Sequence, residues 1–380
     1  MAVIYRSYKY RIYPTKEQEK LIQKTFGCVR YVYNYFLTRR IELYNNEKIN
    51  TTFYKQNKEL TELKKENVWL KEPDKNALQN ALINLDYAYD RFFHGLKTGK
   101  KVGYPKYKKK KASKQVYQTN NNNGNSIGIK ENKVRLPKLK FIKAKISRDI
   151  PNDAIIKSAS VIQTADGKYY VNINFEMDID INPIKTIVPS RVIGLDYSSP
   201  HFYVDSNGYT ADMPHYYRTS QDKLSKNARK LSHMTKDGKN YNKQKIKIAK
   251  INSKIANQRL DWQHKLANKI VNDNDVVCLE DINLVELSQQ LSLGKSTFDN
   301  GFGQFRDILR YKMNTSGKHV VKIDKWFPSS KKCHVCGNVN ESLTINDRVW
   351  VCPTCNTKLD RDVNAAINIK EEGLNVLFFN

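Results

Sequence analysis

Cys333, Cys336, Cys352 and Cys355 follow the pattern C-x2-C-x15-C-x2-C, the spacing of a tetrahedral zinc ribbon. Four thiolates leave no open coordination position, so a zinc ion here is expected to be structural. His334, inside the first pair, is expected beside the ion and not on it. Three acids form a second group: Asp196 in GLDYSS, Glu280 in CLEDI and Asp362 in DVNAA. The first two follow apolar, strand-like residues, where a charge without a purpose is costly to bury. Strands of one parallel sheet end at a common edge, so Asp196 and Glu280 are expected to meet there, with Asp362 brought over by the fold. Converging carboxylates repel one another and stay ionised only around cations, Mg2+ or Mn2+ for oxygen donors. Two such ions polarise a phosphate, activate a water and stabilise a leaving oxygen, which is the chemistry of phosphodiester hydrolysis. Asp360 competes for the third position, but residues two apart on a helix face different ways, and Asp360 reads as the N-cap. Asn364 is a candidate for holding substrate or an attacking water, while Ala365 and Ala366 permit close packing under the sheet.

Charge says what such a centre acts on. Lys and Arg number 66 against 38 Asp and Glu, a net +28 over 380 residues, and the excess is clustered, which points to a polyanionic partner. Residues 97–114 hold nine lysines and no acid, interrupted by Gly103 and Pro105. Lys106, Lys108, Lys109 and Lys110 of that run are expected to lie along phosphates. No run of about eighteen apolar residues is present, and the N-terminus alternates basic and aromatic residues where a signal peptide would be apolar. A cytoplasmic, nucleoid-associated protein is expected, with no membrane contact. Cys28 and Cys278 sit in apolar contexts and read as reduced thiols.

The elements that position these residues fall into blocks. Residues 2–12 alternate as a strand. Thr15 and Gln18 form a capping box before a helical stripe of Ile22, Phe26, Val29, Tyr33 and Phe36. A second stripe, Leu78, Leu82, Leu85, Tyr89 and Phe92, follows Asp74. QTNNNNGNS reads as loop, and Asp166-Gly167 as the turn of a hairpin. After a linker marked by Pro183 and Pro189, a strand and its partner turning at Asn207-Gly208 precede a long basic helical stretch with Ile248, Ile251, Ile255, Trp262, Leu266 and Ile270 on its buried face. DVVCLEDI and HVVKIDKWF read as buried strands. Strand hairpins followed by helix–strand alternation suit an RNase H-like α/β fold.

GLDYSS, CLEDI, WFPSSKKCHVCG and CPTCNTKLDRDVNAAINI resemble the nuclease and zinc-ribbon motifs of the TnpB family, RNA-guided endonucleases of bacterial insertion sequences related to type V CRISPR effectors. TFGCVRYVYNYFL, DKNALQNALINLDYAYDRFF and KKVGYPKYKKKK resemble further family segments, so the likeness runs from about Tyr10 to Ile369. It implies a multidomain α+β protein: a β-barrel wedge domain (1–13 and 98–185), a helical recognition domain inserted in it (14–97), and a RuvC-like nuclease domain (186–380) containing the zinc ribbon (331–358). It implies a guide RNA from the transposon end, cleavage of double-stranded DNA beside a short adjacent motif, and a monomer within the ribonucleoprotein. By motif position it makes Asp196, Glu280 and Asp362 catalytic. Contacts to the adjacent motif would fall on Lys75 and Gln79, with Phe53 or Tyr54, Thr119 and Asn120. The polar tail of many relatives is short here. Two other classes share part of the pattern. One is an RNA-guided regulator lacking cleavage, which the three intact acids oppose. The other is a transposase proper, in which the order Asp, Asp, Glu is common.

Overall fold

Alternating Tyr8, Tyr10 and Ile12 bury one face of the first strand, β1 (Ala2–Tyr13). The structure, a computed structural model, describes residues 2–111, 114–198, 200–289, 299–344 and 346–379. It divides into two compact units, Met1–Asp180 and Ile181–Asn380. In the first, Thr15 caps α1 (Lys16–Glu47) through a complete capping box with Gln18. Ile22, Phe26, Val29, Tyr33 and Phe36 are all buried, as their spacing requires. Helices α2 (Phe53–Glu66) and α3 (Lys75–Lys97) follow. The remaining strands are β2 (Gln115–Asn120), β3 (Gly128–Lys130), β4 (Lys133–Leu136), β5 (Lys140–Lys145), β6 (Ile155–Gln163) and β7 (Tyr169–Ile179).

These strands form one seven-stranded sheet in the order β2-β6-β7-β1-β5-β4-β3. β1 pairs with β7 from Ala2 to Ile12 and turns its end, Arg11 to Tyr13, onto β5. A closed barrel would need the outer strands β2 and β3 to pair, and among the described residues they do not, so the hydrogen-bonded ladder is open. Part of the segment expected as loop is strand. Gln118, Thr119 and Asn120 extend β2 against β6, because Tyr117 and Thr119 alternate inward and the offered edge outweighs weak local propensity.

The second unit is built on β8 (Val192–Tyr197), β9 (Tyr203–Asp205), β10 (Thr210–Ala211), β11 (Val276–Glu280) and β12 (His319–Ile323), in the order β10-β9-β8-β11-β12. β9 is antiparallel to both its neighbours, whereas β8, β11 and β12 run parallel. The expected single helical stretch is two helices, α4 (Tyr216–Ser232) and α5 (Lys239–Asp273). The chain reverses between them at Asp237, whose φ of 67° is left-handed. Short α6 (Leu284–Gln289) and α7 (Phe302–Thr315) come next. The ribbon strands β13 (Val349–Val351) and β14 (Lys358–Asp360) precede α8 (Arg361–Phe379). Among the described residues no helix is long and apolar enough to cross a membrane.

Period-two alternation sorts this sheet into two faces. Ile193, Leu195, Val277 and Leu279 pack with residues of α5 and α7, whereas Val192, Val276, Cys278 and Ile323 pack with Ile369 of α8. Gly194 lets α8 come close, since a Cβ there would lie 2.1 Å from Ala366 O. Ala365 and Ala366 are both 0% exposed against the sheet.

Candidate metal centres

The same alternation aims the acids. Asp196 continues the row Val192, Gly194, and Glu280 the row Val276, Cys278, so both project on the face that α8 covers. The β8–β11 register aligns Leu195 with Leu279, which sets the acid after each at the carboxyl edge of the parallel strands. Asp362 enters from the first turn of α8. Asp360 Oδ1 accepts from the amides of Asp362 and Val363 at 3.0 and 2.9 Å, capping that helix. Asp196 is partly accessible yet densely enclosed by protein. Desolvation, reinforced by the charges of Glu280 and Asp362, pushes its carboxyl well above the usual range. Burial also raises Glu280, and the hydroxyl of Ser329, which donates to Glu280 Oε1, partly offsets it. Asp362 forms an ion pair with Arg348 at 3.4 Å. The charges of Glu280 and Asp362 act on Asp196, but the three carboxylates do not close to the mutual 4.8 Å of the thiol cluster. As a donor set they offer hard oxygens, which suit Mg2+ or Mn2+.

The four cysteine Sγ atoms all lie within 4.8 Å of one another, the only such group of potential ligands among the described residues. Cys333 and Cys355 are 3.6 Å apart, Cys336 and Cys352 3.5 Å. Tetrahedral zinc with bonds of about 2.3 Å needs sulfurs about 3.8 Å apart, so the residues fit that ion. Each pair sits on a tight turn. Cys333 O accepts from Gly337 N and Cys352 O from Asn356 N, both at 2.9 Å. Left-handed Gly337 (φ 78°) and Asn356 (φ 57°) complete them. Bonds with the hydroxyl and amide of Thr357 lower the Cys355 thiol, which favours a thiolate there, whereas the neighbouring sulfurs push Cys336 up, the like-charge repulsion that a bound cation would relieve.

Asn364, a candidate for holding substrate or water, is turned inward. It is 1% exposed, and its Oδ1 accepts from both His334 N and His334 Nδ1 at 3.0 Å. The backbone amide can only donate, so its acceptor is the amide oxygen of Asn364, and the proton of the second bond comes from His334 Nδ1. Its Nδ2 donates to Lys332 O at 2.8 Å. Sequence reasoning missed this role, as it missed Ser329, Asn368 and Arg348. Only the position of Asn364 and Asn368, four residues apart on α8, signals a shared inward face.

The residues expected at nucleic acid lie in the first unit and divide by exposure. Tyr54 is 78% exposed at the start of α2, with Phe53 half-buried beside it. Lys75, which opens α3, is exposed, and Gln79 donates to Asn57 Oδ1 at 3.1 Å. Thr119 is 1% exposed and gives its hydroxyl to Asp74 Oδ2 at 2.5 Å. Asn120 Oδ1 accepts from Asn80 at 3.4 Å. In the basic run Lys106, Lys109 and Lys110 are exposed. Lys108 turns inward, its Nζ 3.9 Å from the centre of the Tyr33 ring, while Asn34 brackets its backbone with bonds of 2.8 and 2.9 Å. Desolvation lowers its pKa. The end of the run, Ala112 and Ser113, lies outside the described residues.

A mixed sheet covered on both faces, with acids at the carboxyl edge of its parallel strands and a four-cysteine cluster that could hold a metal, defines a class of α+β protein, and comparison with known sequences narrows it. Family profiles match at residues 1–48 ("Helix-turn-helix domain"), 176–290 ("Probable transposase") and 302–369 ("Cas12f1-like, TNB domain"). The first spans a strand and one long helix here, with no turn between two helices. A "Putative RNA-guided DNA endonuclease" of Streptomyces pristinaespiralis is 32% identical over 377 residues, covering 98% of this chain and 90% of the relative. "Putative RNA-guided DNA endonuclease InsQ" of Escherichia coli K12 is 26% identical over 98% of this chain and 93% of its own length. The chain belongs to this family, the TnpB-like RNA-guided DNA endonucleases. The protein in a cryo-EM structure of a Cas12f1–sgRNA–target DNA complex aligns with a TM-score of 0.48 and 14% identity over 97% of this chain and 99% of that one.

Proposed function

We propose that this protein is an RNA-guided endonuclease that cuts double-stranded DNA beside a short adjacent motif, using Asp196, Glu280 and Asp362 as a divalent-cation site. The observation that carries the reading is the convergence of acids from β8, β11 and α8 on one face at the carboxyl edge of a sheet. The order β10-β9-β8-β11-β12, antiparallel then parallel, is the one expected of an RNase H-like, RuvC-type domain. Mg2+ or Mn2+, when bound, polarises the scissile phosphate and lowers the pKa of water. The protein's part is to hold its carboxylates in one place, with Ser329 fixing Glu280 and Arg348 paired with Asp362 until the cation arrives. Zinc at the four cysteines is structural. Base pairing to a guide RNA from a transposon end selects the target, as in RNA-guided recognition generally. Exposed Tyr54 and Lys75, with Phe53, Gln79, Thr119 and Asn120 around them, form the region that reads the adjacent motif, and Lys106, Lys109 and Lys110 meet phosphates. The protein acts as a monomeric ribonucleoprotein in the cytoplasm, at the nucleoid.

Asp196→Ala is the direct test. With guide RNA and Mg2+, cleavage of a matched duplex is expected to fall at least about a thousandfold, approaching background, with target binding retained. Cutting at the wild-type rate would remove Asp196 from the site. The "Probable transposase" match over residues 176–290 favours a second reading, strand transfer. Gel analysis separates the two, because transfer yields joined products and hydrolysis yields breaks.

A further inference from the structure

Ser329 belongs to a polar circuit that joins the two metal centres. Its hydroxyl donates to Glu280 Oε1, and its carbonyl accepts from Asn368 Nδ2 at 2.8 Å. Asn368 Nδ2 also reaches Lys332 O at 2.6 Å, the carbonyl that Asn364 Nδ2 contacts at 2.8 Å. Asn364 Oδ1 in turn takes the two His334 protons. The segment 329–333 thus begins at the partner of Glu280 and ends at a thiol of the cysteine cluster. Ser329, Cys333, Asn364 and Asn368 are 4%, 0%, 1% and 0% exposed, so water does not compete for these bonds. Breaking a buried bond strands its partner at a cost of about 1–3 kcal/mol, which makes the circuit stiff. Asn364 and Asn368 grip the segment from one face of α8, the helix whose first turn carries Asp362. Two of the three acids therefore take their positions from the same strap.

We propose that the Ser329–Cys333 strap is a positioning device in which Ser329 orients Glu280 for cation binding and zinc holds the strap in place, so that losing zinc weakens the carboxylate site. The inference rests on reading Asp196, Glu280 and Asp362 as a cation site. Ser329 is a positioning residue, acting through Glu280. Linkage makes the effect reciprocal: each ion binds more tightly when the other is present.

The test is a Mn2+ titration of the full chain followed by the EPR signal of free Mn2+, with zinc content measured in parallel. Ser329→Ala is expected to raise the Mn2+ Kd about tenfold or more while zinc stays at one per chain, and Ser329→Thr to restore it. Cys355→Ser, outside the circuit and beside Cys333 in the cysteine cluster, is expected to lose zinc and weaken Mn2+ binding together. Stripping zinc from the wild-type chain with a soft-metal chelator, then adding it back, makes the same comparison without a substitution. Ser329→Ala binding Mn2+ like wild type overturns the role of Ser329, and a zinc-free chain with undiminished Mn2+ affinity overturns the linkage. Asp196→Ala separates the two levels. If wild type binds Mn2+ no better than this variant, the cation site itself fails, and not merely its positioning.

Discussion

Arg348 shows how one side chain tempers a centre of like charge. It is half-exposed, on the ribbon, and its guanidinium lies 3.4 Å from Asp362. An exposed pair of this kind is worth about 0–1 kcal/mol, enough to quiet the acid and too little to block a divalent ion. Arg348→Ala is accordingly expected to tighten Mn2+ binding by up to about fivefold, with thermal stability nearly unchanged. Weaker binding in that variant would mean that Arg348 supports the site and does not compete at it. The acids stood out as candidates in the sequence because carboxylates after apolar strand residues are conspicuous, and the cysteines because their spacing has few other uses. It concealed Arg348 and Ser329 because their partners are distant in the chain. Asn364 was legible as important, two residues beyond Asp362, but its burial depends on which face α8 turns to the sheet.

Elements were legible where local signals and packing agree. The capping box and stripe of α1, the Asp166-Gly167 turn and strands β8 and β11 all follow from periods and turn chemistry. The α4–α5 break was not, because lysines run through both helices and the six residues between them, 233–238, carry only Asp237-Gly238 as a turn signal. β2 was masked by asparagines that strand pairing overrode. One interaction organises the amino-terminal edge of the parallel strands. Asp275, just before β11, accepts from Arg191 at 2.7 and 3.0 Å and pairs with Lys318 at 3.3 Å. The Arg191 bonds, aided by Lys318 and against the opposing effect of burial, hold its carboxyl below the usual range. A depressed acid stabilises the fold above its unfolded pKa of about 3.9 and loses that contribution as pH falls through the lower folded value. Asp275→Asn is therefore expected to cost about 1–3 kcal/mol at neutral pH, and the gap from wild type to shrink below about pH 4. Denaturant titrations at both pH values read the gap directly. A gap independent of pH would mean that the carboxylate's charge contributes nothing there.

At the scale of the whole molecule, the proposed reading gives a charge of +28 the task of holding nucleic acid and three acids the task of cutting it. These functions should separate experimentally. Neutralising phosphates releases counterions, so log affinity falls linearly with log salt, by about 0.7 per phosphate for single strands and about 0.9 for duplex. A basic surface engaging six or more phosphates gives a slope steeper than about −4. Removing one carboxylate scarcely changes that surface, so wild type and Asp196→Ala are expected to share the same slope for guide RNA while differing in cleavage by orders of magnitude. Affinity measured by filter binding across about a sixfold range of KCl, from roughly 50 to roughly 300 mM, tests it. A shallow slope would show that shape and stacking, not charge, dominate the grip, and that the exposed Lys106, Lys109 and Lys110 contribute little to it.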